Sequence, residues 1–290
     1  MNPRTDISQI AIVIVLFHPS ESDVDNVRML ASRYRGVIVD NSDLPSFPHN
    51  DKVGMMRYMA LGENRGIAEA HSRGISALLN EKETAYIILL DQDSRLPDGY
   101  PQKMVDEFEK LKKGHPHLAA LGPTVVQKDT GEEYHSAIHQ DYRIDDHLVA
   151  RKDIIASGCC FTANAFRQVG LYENDLFIDF VDTEWCYRAV SKGYAIGITP
   201  NVKLYHKVGK KEIHIGRHIV SISAPFRYYY QYRNFIILAE RKYVPMSFKI
   251  NFGIKFLLRF FYIPLMTKDG WSTWKYMLKG ICAGISSLLK

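Results

Sequence analysis

The sequence predicts an α/β fold: a mainly parallel central sheet flanked by helices, with a helical extension at the C-terminus. Three observations carry this expectation. Uninterrupted apolar runs alternate with helical patterns from Ile10 to Leu90, those runs stop in short polar clusters, and after Pro225 the composition shifts to Tyr, Phe, Ile and Lys/Arg. Apolar runs without polar alternation belong to strands covered on both faces, and strand–helix–strand order is how a parallel sheet is wound.

Residues 10–17 are the first strand, 24–34 a helix, 36–39 the second strand, about 67–79 a second helix and 86–90 a third strand. In such sheets ligands bind beyond the carboxyl ends of the strands. The polar stops His18-Pro19, Asp40-Asn41-Ser42 and Asp91-Gln92-Asp93 are therefore site candidates. Residues 118–155 are mixed and turn-rich, with Thr130-Gly131 as a hairpin, and 157–166 and 179–192 return to helix-like patterns. No internal repeat is visible. At 290 residues and 46% hydrophobic content the chain can bury one large core with an appendage, divided here into a main domain, 1–240, and an extension, 241–290.

The extension is apolar over 247–263 but carries Lys249, Lys255 and Arg259, and Pro264 is expected to stop its helix. A membrane-spanning helix needs about 20 residues with few charges. The pattern suits a helix lying in a membrane interface instead, with Lys255 and Arg259 one turn apart toward the headgroups. An oligomer contact or core packing fits the same pattern. Residues 10–17 are too short to cross a bilayer and no small-residue cleavage site follows them, so export is not expected. Four cysteines, Cys159 and Cys160 adjacent, make neither a CxxC pair nor a disulfide ladder. Buried thiols in a reducing compartment are the expectation. The net charge of +5 comes with 32 acidic residues and gives no case for nucleic acid.

Asp91 and Asp93 follow the run Tyr86-Ile87-Ile88-Leu89-Leu90. On an extended backbone residues two apart point the same way, so both carboxylates are expected to face one spot while Gln92 faces away. Two hard oxygen donors suit a divalent cation that neutralises charge building on a diphosphate leaving group. A solvated turn has the same pattern. In the helix opened by 63–74, Gly66, Ala68 and Ala70 are small enough for close approach to a ligand or to the sheet, and the helix N-terminus favours an anion. Asp182 and Glu184 in 180–188 stand at the start of a helical pattern. Acids at a helix N-terminus can serve the helix dipole alone.

The order of motifs, V-D-N-S, N-x-G-x-A-x-A, an apolar strand, D-x-D, D-x-E-W and H-x-x-G, resembles the family 2 glycosyltransferases over about residues 8–240. The resemblance implies the A-type glycosyltransferase fold, which is Rossmann-like, an inverting direct displacement, and a nucleoside-diphosphate sugar as donor. It places Asp40 at the nucleobase, Ser42 and Asn64 in the nucleotide pocket, and Asp91, Gln92 and Asp93 at the ribose and the metal-diphosphate. Asp182 falls on the catalytic base, although the family's usual Glu-Asp pair is here Val181-Asp182. His206, which opens H-x-x-G, joins Asp91 and Asp93 in a site for Mn²⁺ or Mg²⁺. Lys207, Lys210 and Lys211 make either a basic loop over the diphosphate or a solvated turn.

Asp179 and Glu184 are rivals to Asp182 as base, or else serve the acceptor, Asp179 by shaping its pocket and Glu184 by orienting it; Cys159 lies in the segment that the resemblance places between donor and acceptor sites, and Trp185 either stacks on a sugar or packs in the core. The stretch 179–185 matches the bacterial rhamnosyltransferase group. That match implies dTDP-L-rhamnose as donor, a lipid-linked saccharide as acceptor, and a peripheral place at the cytoplasmic face of the cell membrane, with a homo-oligomer left open. A UDP-sugar donor and a non-catalytic sugar-nucleotide-binding protein are the alternatives. A sugar-1-phosphate nucleotidyltransferase would open with a Gly-rich, Arg-containing phosphate loop where this chain has Phe17-His18-Pro19-Ser20.

Overall fold

The computed structural model describes residues 6–127, 142–143, 149–150, 154–206, 211–215, 218–267 and 269–289. The chain forms two compact units: Met1–Phe177 with Val181–His206, and Ile178–Phe180 with Lys207–Lys290.

The first unit is wound around one sheet. Its strands β1 (Ile10–Leu16) and β2 (Gly36–Asp40) are buried at every position, as their unbroken apolar sequence requires. Between them α1 (Glu21–Arg33) starts three residues earlier than periodicity alone suggests, at a reciprocal cap in which the Ser20 hydroxyl and the Asp23 carboxylate accept from each other's backbone N–H. There follow β3 (Lys52–Val53), β4 (Met56–Ala60), α2 (Gly66–Leu79), β5 (Tyr86–Asp91), α3 (Tyr100–Lys112), β6 (Leu118–Gln127), β7 (Tyr142–Arg143) and β8 (Val149–Ala150). The unit is completed by β9 (Cys160–Thr162), α4 (Ala163–Val169), α5 (Val181–Ser191) and β10 (Ala195–His206).

The strand order is β3-β4-β2-β1-β5-β9-β6-β10-β8-β7. The expected parallel winding holds for β4-β2-β1-β5 and for β6-β10. The two blocks are joined by β9, antiparallel to both β5 and β6, so the sheet is mixed. That strand corrects the helical reading of 157–166: Cys160 and Phe161 are buried in the sheet and the helix α4 begins only at Ala163. The Thr130-Gly131 hairpin lies outside the described residues. The core interdigitates Ile12, Ile14, Leu16, Ile38, Ile88 and Leu90 with Met104, Phe108 and Leu111 of α3. Each such side chain contributes roughly 1.5–3 kcal/mol at most.

The second unit holds a hairpin, β11 (Lys211–Ile215) and β12 (His218–Ile222), and three helices, α6 (Pro225–Glu240), α7 (Met246–Met266) and α8 (Gly270–Leu288). Its core is aromatic. Tyr228 and Tyr232 of α6, Phe256 and Ile263 of α7 and Met277 of α8 are buried together, and Phe180 sets its ring against Phe248, Phe252 and Phe256. The helices α6 and α8 approach at Gly280 and Gly284, where a Cβ would lie 2.3 Å from the Tyr229 carbonyl oxygen and 2.9 Å from Ile236 Cβ. Small residues four apart let two helix backbones close on each other.

Two expectations change here. Pro264 does not stop the helix: α7 runs on to Met266, because the turn after the missing N–H is closed by Thr267 N–H donating to the Ile263 carbonyl at 3.1 Å. The units divide at His206 and not at residue 240, since α6 packs along α8. No helix among the described residues is long and apolar enough to cross a membrane.

Candidate active site

The parallel registers bring the polar strand ends to one sheet edge, with Leu16 opposite Asp40 and Val15 opposite Asp91. Side chains then tie the three exits together. The Gln92 side-chain oxygen accepts the Phe17 N–H at 2.7 Å, and the Ser42 hydroxyl accepts the His18 N–H at 2.8 Å. Gln92 therefore does not face away; it braces the end of β1.

Asp40 is fully enclosed, which corrects its placement against a nucleobase. One carboxylate oxygen accepts from Ser42 N–H at 3.1 Å, the other from Ser46 N–H and the Tyr58 hydroxyl, both at 2.7 Å. Burial pushes its pKa up, but the bonds from Ser42, Ser46 and Tyr58 outweigh that and leave the carboxyl below its ordinary value. It shapes loop 41–46 from within. Asn41, next in sequence, accepts the Arg65 N–H at 2.8 Å and donates to Asn64 Oδ1 at 3.0 Å; Asn64 Oδ1 also accepts the Gly66 N–H at 3.0 Å.

These contacts fasten the start of α2 to the end of β2, and Gly66 is needed there. At φ +83°, its added Cβ would fall 2.6 Å from the Phe177 ring. They also occupy the helix N-terminus expected to hold an anion: Gly66 N–H bonds Asn64, and Ala68 N–H bonds the Phe177 carbonyl at 3.2 Å. Farther along α2, His71 and Ser72 are buried, and neither offers a surface to a donor. Ser72 donates to the Tyr172 carbonyl at 3.3 Å. Both His71 ring nitrogens and the neighbouring Tyr172 hydroxyl are buried without partners, and burial lowers the His71 pKa to about 4.

The chain leaves its extended path at Asp91, where Ser94 N–H donates to the Asp91 carbonyl at 3.1 Å and closes a turn with Gln92 and Asp93 at the corner. The alternation argument for two carboxylates on one side thus ends at Asp91; it is the turn that keeps Asp91 and Asp93 near each other. Asp91 is half-buried and Asp93 exposed. Ser157 secures this turn, its hydroxyl accepting the Asp91 N–H at 3.3 Å and lying 2.9 Å from the Ser94 hydroxyl. One residue earlier, Ala156 N–H donates to Asp182 Oδ2 at 3.2 Å. Asp182, half-buried at the start of α5, is thereby linked through Ala156-Ser157 to the D-x-D turn.

Three acceptor-side assignments are corrected by burial. Glu184 has no exposed surface; it bonds Arg188 at 2.8 and 2.9 Å, and that guanidinium donates on to the carbonyls of Val169 and Leu171. Trp185 is a core residue, packed on Phe161, Phe166 and Tyr172 with its indole N–H on the Gly170 carbonyl at 2.8 Å. Cys159 is 2% exposed, its thiol donating to the Ile155 carbonyl. Asp179 belongs to the second unit, where Arg227 holds its carboxylate at 2.5 and 3.2 Å. The side chains of His206 and Lys211, like Lys207 and Lys210, lie outside the described residues. Asn41, Tyr58 and Ser157 are positioning residues; the sequence reading had Asn41 among its strand-end candidates, whereas Tyr58 carries no signal there.

Among the described residues no three His, Cys, Asp or Glu side chains converge as a metal cage. The donor set at the turn, two carboxylates bracketing one residue, fits a hard cation that takes its remaining ligands from a diphosphate.

A sequence model described as Glycosyl transferase family 2 matches residues 27–173, more than half of the chain. The chain belongs to glycosyl transferase family 2. The match takes in Asp40, Asn64 and the Asp91–Asp93 turn and ends short of Asp182. This family 2 glycosyltransferase is 29% identical over 260 residues to the dTDP-rhamnosyl transferase RfbF of Shigella flexneri, covering 84% of each chain. Among solved structures it resembles S. aureus TarS 1-349 (TM-score 0.56, 10% identity, 97% of this chain and 82% of that one). It also resembles GalNAc-T7 with UDP, GalNAc and Mn²⁺ (TM-score 0.56, 14% identity, 97% of this chain and 56% of that one). It spans 47% of a longer TarS chain, at a TM-score of 0.55 and 12% identity over 91% of its own length. At these identities the likeness is one of fold, the A-type glycosyltransferase fold.

Proposed function

We propose that this glycosyltransferase moves L-rhamnose from dTDP-L-rhamnose, with inversion, to a hydroxyl of a lipid-linked saccharide at the cytoplasmic face of a bacterial membrane, as a step in building a cell-surface polysaccharide. The donor reading is supported by the similarity to the Shigella flexneri dTDP-rhamnosyl transferase. The chemistry is carried by one observation: Asp182 accepts a hydrogen bond from Ala156, the neighbour of the serine that secures the D-x-D turn.

A base thus tied to the donor end of the sheet suits direct displacement. The acceptor hydroxyl gives its proton to Asp182 as its oxygen bonds to C1 of the rhamnose, the C1–O bond to the diphosphate breaks on the opposite face, and dTDP leaves. Asp91 and Asp93, with His206 as a third donor, are the residues to hold Mn²⁺ or Mg²⁺. A divalent cation bound there supplies neutralising charge for the departing diphosphate. Asp40, Asn41 and Asn64 hold the loop that walls the nucleotide, and Ser42 and Gln92 hold the exit of β1.

The test is transfer to a lipid-linked saccharide with Mn²⁺ and a panel of dTDP- and UDP-sugars, comparing wild type, Asp93→Ala and Asp182→Asn. Metal-dependent transfer from dTDP-rhamnose, lost in both variants, is the expected result. Full activity in Asp182→Asn would refute the base, transfer from UDP-sugars alone would refute the donor, and donor binding without transfer from any sugar would make this a binding protein.

A further inference from the structure

The second unit is set apart by charge. It carries fifteen Lys/Arg against four Asp/Glu, a net +11, whereas the first unit carries twenty-two against twenty-eight, a net −6; together they give the chain's +5. On this basic unit α7 turns a row of apolar side chains to solvent. Ile250, Ile254, Leu257, Leu258, Phe261 and Leu265 are each 53–86% exposed, at spacings that run down one helix face, while Phe256 and Ile263 fill the unit's core from the other. A contiguous apolar stripe of this length on a soluble surface marks a contact with something.

A further observation says what kind. At the start of α8, Trp271 is exposed with Lys275 Nζ 5.8 Å from its ring, the aromatic and cationic pairing typical of a membrane interface. A second copy meeting this face by two-fold symmetry would bring one strongly basic unit against another, which argues against self-association there.

We infer that α7 and the start of α8 form a docking surface for an anionic lipid bilayer, the apolar stripe entering the acyl boundary and Lys275, beside Trp271, meeting headgroup phosphates. This rests on the lipid-linked acceptor proposed above, and it names the residues that bring the enzyme to it. None of the described helices spans a membrane, so α7 lies along the surface.

The test is flotation of the full-length protein with vesicles of phosphatidylcholine alone or mixed with phosphatidylglycerol, using wild type, the pair Leu257→Gln/Phe261→Gln, and Lys275→Gln, each checked for its fold by near-UV circular dichroism. Wild type should float with the anionic vesicles and not with the neutral ones. Binding should drop about tenfold or more in the pair and severalfold in Lys275→Gln. Equal flotation with neutral vesicles, no flotation with either, or a dimer in sedimentation velocity that the pair dissolves would overturn the inference. Because flotation reads binding and not transfer, anionic-vesicle binding without rhamnose transfer would refute the functional reading alone. Transfer to a soluble acceptor without flotation would refute the docking surface alone.

Discussion

Arg188 shows how much a single side chain organises in this molecule. Its partner Glu184 is entirely buried, so removing the guanidinium strands a carboxylate away from water, a change that costs about 3–5 kcal/mol. Arg188→Met should lower the urea midpoint by a corresponding amount while the folded fraction keeps its KM for donor. His71 gives a pH signature. Its folded pKa, about 4, lies below the ordinary 6.5, so the unfolded chain binds the extra proton between those values and stability falls as pH drops through that window. The loss approaches roughly 3 kcal/mol by pH 4. His71→Phe should flatten that limb of a stability–pH curve, and it should also stabilise the protein at neutral pH by on the order of 1 kcal/mol, by removing two unpartnered buried nitrogens. A steeper acid limb in the variant would refute this account. At this scale the sequence conveyed residue types and strand ends but not enclosure: Asp40, Glu184 and Trp185 sit in polar or amphipathic stretches that also suit ligand contact, and only packing shows that all three face inward.

Among the elements, the close approach of α6 and α8 makes the sharpest forecast. Gly280→Leu forces a side chain onto the Tyr229 backbone and should collapse the aromatic core of the second unit, read as loss of near-UV signal from Trp274, whereas Trp185, in the first unit, keeps its environment. Ser157→Ala should slow transfer severalfold with little change in stability, because it loosens the Asp91–Ser94 turn without opening the core. Elements with unbroken apolar runs, β1, β2 and β5, were legible to within a residue or two. The helix α3 was not among the expected elements, although the Tyr100, Met104, Val105, Phe108, Leu111 spacing around Pro101 carries its period. The strand β9 was not legible, because three residues inserted antiparallel between two neighbours carry no period of their own.

For the whole molecule, the boundary taken from composition failed because hydrophobic and basic content rises gradually from Pro225, whereas the units are defined by which helices pack together. A ligand offers a molecular-scale check. At a hundred times its Kd, dTDP-rhamnose with Mn²⁺ should stabilise the protein by about 2.7 kcal/mol. Asp93→Ala should abolish that gain, while Asp182→Asn should keep it and lose turnover by roughly 10²–10⁴. An equal thermal shift in all three proteins would detach the D-x-D turn from the donor.

The path of the chain around Asp179 has a consequence for how such enzymes can be recombined. Residues 178–180 belong to the second unit and their neighbours on both sides to the first, with Asn234 holding the carbonyls of Ile178 and Asp179 at 2.8 and 3.0 Å. The polypeptide therefore passes between the units three times. A chimaera made by one crossover at His206 imports foreign helices but retains the native tripeptide, so the ring of Phe180 must find its place among strangers at positions 248, 252 and 256. Exchanging C-terminal units between relatives should succeed only when two pieces travel, the tail and that tripeptide, as though a garment were held by one stitch sewn far from its hem.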